Sequence, residues 1–122
     1  MGVGLDNFLY EYRGRYIIDA AWKEPNLNHP HNIILDFATR LGILGLLAGA
    51  WLFWAYFNLA RRLTKQVKSA WRPVAVGLMG SFVYIIAHGL VDHSFFLIDL
   101  AYTFYFLLGL AVWLERKKIA SE

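Results

Sequence analysis

Three apolar runs, at about 41–60, 73–91 and 95–114, dominate this chain of 122 residues. Each is close to the ~20 residues that an α-helix needs to cross about 30 Å of hydrocarbon. Their hydrophobicity is continuous rather than alternating, which excludes half-buried strands and points to helices surrounded by lipid. Composition agrees, since 58% of the residues are hydrophobic. The expected fold is an all-α membrane protein with about three transmembrane helices over 33–60, 73–91 and 95–114. A short extracytoplasmic helical and loop segment, residues 1–32, precedes them, and a cytoplasmic tail, residues 115–122, follows.

The formal charge of +3 could suggest nucleic acid, but the placement of the charges argues otherwise. Arg61, Arg62, Lys65, Lys68 and Arg72 fill one short connection without an acidic residue, and Arg116, Lys117 and Lys118 follow the last run. If the chain crosses the membrane at each run, both clusters lie on one side, and the excess of Lys and Arg marks it as cytoplasmic. Topology therefore accounts for most of the basic residues, no nucleic acid is expected as a partner, and contact with anionic lipid headgroups is compatible with the pattern. Trp71 and Trp113 stand beside these clusters as interfacial anchors, whereas Trp51 and Trp54 are expected to pack against neighbouring helices. With no cysteine in the chain, disulfides and thiolate metal sites are excluded. The first residues have neither a basic nor an apolar signal region. Since residues 1–32 are expected outside, the reading takes the chain as the C-terminal piece of a larger protein with upstream spans.

A short amphipathic helix is expected near residues 6–12, and two prolines with asparagines between them make residues 24–30 a loop. Pro30 suits a first helical turn, with Asn28 or His29 as the cap. A continuous helix over 30–60 would be roughly 46 Å long at about 1.5 Å per residue, more than the hydrocarbon needs. It must tilt strongly or project its first turns beyond the apolar core. Asp36 and Arg40 are four apart and able to pair at the interface, which favours projection. His31 is then outside the apolar core and faces a wet pocket. Gly42, Gly45 and Gly49 form one smooth flank on which His31, if helical, also falls. That flank either packs another helix or leaves room for a lipid tail.

Further candidates sit at the other outer edge. His88 and Asp92 are one turn apart, with His93 next to them and Asp99 early in the last run. Acids near a membrane are functional candidates by default, though a polar network and direct substrate contact both remain open for these four. His29 and His31 flank a proline, which does not aim two imidazoles reliably at one centre. There is no HExxH run either, so no metal ligands are assigned. No Ser-His-Asp order, P-loop or dinucleotide fingerprint is present, and no cofactor is expected.

The run His31-Asn32, nine residues, then Gly42-x-x-Gly45 resembles the motif of the bacterial O-antigen ligases, which share a superfamily with the O-antigen polymerases. Gly2-Val-Gly-Leu-Asp-Asn-Phe8 is similar to a Gly-x-Gly stretch of their large periplasmic loop, and Asn28-His-Pro-His-Asn32 to its approach to the histidine. His88-Gly-Leu-Val-Asp92 with residues 96–100 is similar to a late helix pair of some members. The resemblance implies a glycosyltransferase of lipopolysaccharide and polysaccharide biosynthesis in the bacterial inner membrane. Such enzymes move a glycan from undecaprenyl pyrophosphate to a hydroxyl of lipid A-core or of another glycan, without nucleotide sugar or metal. It implies His31 as the catalytic base, a role that suits an imidazole because it titrates near neutrality. Asn32, His88, Asp92 and His93 become candidate substrate contacts. The cations that grip pyrophosphate come largely from upstream segments in the family, leaving Arg13, Arg15 and Arg40 as helpers, with a salt bridge to Asp36 as the competing role for Arg40. The rival reading is a non-catalytic, truncated membrane module with structural histidines.

Overall fold

The computed structural model describes residues 2–5, 7–17, 27, 29–92 and 95–119. The chain is an all-α membrane protein: three helices are long and apolar enough to cross a bilayer, and the described residues contain no strand. They are α2 (Ile33–Gln66), α3 (Arg72–Gly89) and α4 (Ile98–Ile119). Ahead of them lies a short α1 (Phe8–Glu11), continued by a π-helical turn over Tyr12–Tyr16. The expected amphipathic helix near 6–12 is thus present, held by Phe8 stacked on Tyr12 at 5.9 Å and by Arg15 paired with Glu11 at 3.3 Å.

Two boundaries differ from the sequence reading for physical reasons. α2 runs on to Gln66 and α4 to Ile119, because the basic residues after each apolar run are good helix formers. Leu63 stays fully buried in that extension. α4 begins at Ile98 rather than at residue 95, since Phe95 and Phe96 turn inward from the connecting segment as part of the core. Pro73 sits in the first turn of α3 as its missing N–H requires.

Aromatic rings fill the space between the helices. Phe53, Tyr56, Phe82, Phe95 and Phe104 meet at centroid distances of 5.2–6.4 Å, mostly edge to face. The fully buried Tyr56 also donates its hydroxyl proton to the Leu78 carbonyl at 3.3 Å. At the basic end, Arg62 approaches Glu115 at 3.9 Å, and the Lys117 ammonium lies over both Trp71 and Trp113. Both basic clusters therefore occupy one end of the bundle. Trp51 and Trp54 are 67% and 64% exposed on α2, so neither belongs to the core that α2 builds with α3 and α4.

The long helix does not continue straight from residue 30. Gly42 adopts φ 70°, ψ −166°, a conformation essentially restricted to glycine, and kinks α2 after its first two and a half turns. Of three similar glycines it alone is a hinge rather than part of a smooth flank. In an unbroken helix the carbonyls of Thr39 and Arg40 would serve Ile43 and Leu44. Here they accept from the backbone N–H groups of Val3 at 2.7 Å and Gly4 at 3.0 Å. Gly2 lies so close to Arg40 and Gly42 that a Cβ there would collide with backbone. The Arg40 guanidinium donates to the Leu5 carbonyl as well, so residues 2–5 are clamped over the kink.

Candidate functional site

The N-terminal end of α2 and the C-terminal end of α3 build one polar site, and Asn32 organises it. Its side-chain oxygen accepts from the N–H groups of Ile34 at 3.0 Å and Leu35 at 3.2 Å, a true N-cap. The helix therefore starts at Ile33. The expected start at Pro30 is corrected by this cap: His31 is not helical and does not share the glycine flank, and of the two predicted caps Asn28 lies outside the described residues. The amide nitrogen of Asn32 donates to the Leu90 carbonyl at 3.0 Å, which ties the start of α2 to the end of α3.

On the α3 side, the His88 carbonyl accepts from the backbone N–H of both Val91 (3.0 Å) and Asp92 (2.9 Å). That tight turn swings the Asp92 carboxylate away from α3. It does not meet the His88 ring, which the i, i+4 spacing made its obvious partner. It meets His31 instead, with 2.8 Å between Nδ1 and Oδ1 across 61 positions of sequence. The His88 ring stacks on Tyr84 at 5.6 Å and lines a separate groove of about 410 Å³ between α3 and α4, with Gly80, Ser81 and Thr103.

A carboxylate only accepts hydrogen bonds, so the neutral imidazole carries its hydrogen on Nδ1 and keeps the lone pair of Nε2 free. The side chains of His31 and Asp92 are 54% and 49% exposed, so the dyad lies at the surface rather than in the core. The His29 ring sits 4.8 Å from that of His31, tilted by 53°. One ligand-type atom from each of His29, His31 and Asp92 falls within 4.8 Å of the others. The sequence reading left His29 out of the site. The bends at His29 and His31, on either side of Pro30, bring the two rings together, and no local pattern in the sequence marks them. Beside the polar site, Ile33, Phe37, Gly49, Phe53 and Leu90 line an apolar groove of about 160 Å³ between α2 and α3. Gly49 keeps that wall open, because a Cβ there would stand 2.6 Å from the Phe37 ring.

The remaining candidates fall elsewhere. Arg40 is buried and committed: its Nε meets Asp36 Oδ1 at 2.5 Å, its guanidinium lies over Phe96, and Leu5 takes a further bond. The salt-bridge role for Arg40 is therefore the one observed, inside the protein rather than at its surface. Arg13 and Arg15 lie in the π-helical turn, and Arg15 pairs with Glu11. Asp99 is exposed in the first turn of α4, and His93 lies outside the described residues. Neither a family profile, nor a characterised protein, nor a solved structure matches this chain.

Proposed function

We propose that this chain is the C-terminal part of an O-antigen ligase-like glycosyltransferase of the bacterial inner membrane, with its N-terminus outside and its C-terminus in the cytoplasm. The observation that carries this reading is the His31–Asp92 dyad, exposed at the end of the bundle opposite the basic clusters. An apolar groove adjoins it, of a kind that suits part of a polyprenyl tail. In this reading Asp92 orients the imidazole, and Nε2 removes the proton of the acceptor hydroxyl, on lipid A-core or on a glycan. The hydroxyl oxygen bonds to the anomeric carbon as the bond from that carbon to the pyrophosphate oxygen breaks. Undecaprenyl pyrophosphate leaves with the electron pair. Arg40 is spent on Asp36 and Leu5, so the charge of the leaving group falls to Arg13, Arg15 or segments beyond this chain. At the other end Arg61, Arg62 and Lys65 border a groove with Trp54, which fits anionic membrane lipid.

The same dyad favours a second reading, because a bond between the segment ahead of α2 and the turn after α3 is also what a structural histidine provides in a non-catalytic module. Replacing His31 by Ala in membranes that hold the protein, a defined undecaprenyl-linked glycan and an acceptor separates the two. Catalysis predicts at least a 100-fold loss of transfer with the helical fold and thermal stability retained. Unchanged transfer removes His31 from the mechanism, and loss of transfer only in step with loss of fold favours the structural role.

A further inference from the structure

We propose that His29, His31 and Asp92 form a binding site for a divalent transition metal of the zinc class. Resting on the proposed role of His31, we further infer that occupancy switches the base off. Two imidazoles and one carboxylate are a ligand set suited to Zn²⁺, Co²⁺ or Ni²⁺, whereas Mg²⁺ and Ca²⁺ prefer oxygen alone. The three ligand atoms already lie within 4.8 Å of one another. A tetrahedral zinc with ligands at 2.0–2.1 Å separates them by about 3.4 Å. The 2.8 Å contact between His31 and Asp92 must open by about half an ångström, and the widest pair must close by rather more. His31 and Asp92 are both half-exposed, so rotamer changes can supply much of this.

The surroundings hold the donors in place on both sides. The Asn32 bond to Leu90 fixes the spacing of the two helix ends, and the His88 carbonyl holds the backbone of the turn that presents Asp92. These contacts fix the backbone on either side of the site, and the ligand side chains turn upon it. Three protein donors leave a fourth position open to water or substrate.

Coordination changes what His31 can do. The nitrogen nearest to Asp92 is Nδ1, the one that carries the hydrogen in the dyad. A metal bound there displaces that hydrogen, and the neutral ring then carries its hydrogen on Nε2. The lone pair required of the base is gone, and Asp92 serves the metal instead of the imidazole. Occupied and catalytically poised states exclude one another.

The test uses the whole chain in nanodiscs with Co²⁺ as a visible probe. Wild-type protein should bind one equivalent with a tetrahedral d–d absorption band that Zn²⁺ displaces and millimolar Mg²⁺ does not. His29→Ala and Asp92→Asn should each weaken binding at least tenfold, while circular dichroism without metal establishes that each variant is folded; should one fail to fold, His29→Gln replaces it. No band in the wild type, or equal binding by the variants, overturns the site, and displacement by Mg²⁺ overturns the metal class. The second arm measures glycan transfer in membranes, each protein against its own zinc-free rate. Micromolar Zn²⁺ should lower wild-type transfer at least tenfold, and His29→Ala should need at least tenfold more. Metal bound through these residues with transfer unaffected overturns the switch and leaves the site standing. Because the absorption readout needs no transfer, failure of the glycosyltransferase reading cannot be mistaken for failure of the site.

Discussion

Replacing Gly42 by Ala tests how the N-terminal piece of α2 is held. The φ of +70° and ψ of −166° at this position cost a side-chain-bearing residue about 1–3 kcal/mol. The alternative is a straight helix, in which Thr39 and Arg40 give their carbonyls back to Ile43 and Leu44. That trade is nearly even, two backbone bonds lost from Val3 and Gly4 and two regained, so it does not decide the outcome. Alanine is also better than glycine by about 1 kcal/mol inside a regular helix, which favours the straight form. Together the substitution should shift the balance from clamped to released N-terminal segment by about 2–4 kcal/mol, or roughly 30- to 900-fold. The assay is hydrogen exchange at the Val3 and Gly4 amides in nanodiscs, where protection should fall by that factor up to the limit of full exposure. Gly109→Ala is the control, since its Cβ would meet open space on α4 and should leave those amides unchanged. Undiminished protection in Gly42→Ala would refute the account of the kink as a conformation that only glycine sustains.

Two other substitutions probe the site and its wall. Asn32→Ser keeps a capping oxygen but cannot reach the Leu90 carbonyl, so it should cost about 1 kcal/mol, against about 2 kcal/mol for Asn32→Ala, which loses the cap and the Leu90 bond together; equal losses by reversible unfolding in mixed micelles would contradict the double role. Gly49→Ala places a Cβ 2.6 Å from the Phe37 ring and should destabilise by about 1–3 kcal/mol, read as a lower thermal midpoint. An unchanged midpoint would mean that the ring moves aside freely.

The membrane-spanning architecture was legible because it depends on local composition: about twenty apolar residues in a row have few alternatives to a spanning helix. The helix ends were less legible, since apolarity stops at Ala60 and Leu114 while helix propensity continues through Arg61, Arg62 and Glu115. Gly42, Gly45 and Gly49 look alike in sequence. What distinguishes Gly42 is a receiving segment some forty positions away whose amides satisfy the opened carbonyls. The site shows the same limit. His31 and Asp92 were both identifiable as candidates, but local spacing offered His88 as the partner of Asp92. The helix ends at Gly89, one residue past His88, and that stop carries Asp92 off the face which His88 shares. Trp51 and Trp54 lie within an apolar run, and nothing local tells a position outside this three-helix core from one inside it.

The N-terminal part of α2, residues 33–41, is a short lever held at both ends by different chemistry. At its start, His31 and Asn32 bond to Asp92 and to Leu90 at the end of α3. At its end, Thr39 and Arg40 bond to residues 2–5. Between them Ile33, Asp36, Phe37 and Arg40 share one buried face, with Phe37 at 4.7–5.1 Å from Phe95 and Phe96 and Arg40 over Phe96. A buried ion pair is weak support for stability unless its remaining polar atoms find partners. The Leu5 carbonyl and the Phe96 ring provide them here, so the pair fixes the direction of the lever more than it adds strength. The break at Gly42 then has a positional consequence. It frees the direction of this segment from that of the rest of α2 and lets the α3–α4 connection and the N-terminal clamp set it instead. The position of the His31 imidazole, just ahead of α2, is therefore determined by contacts outside that helix.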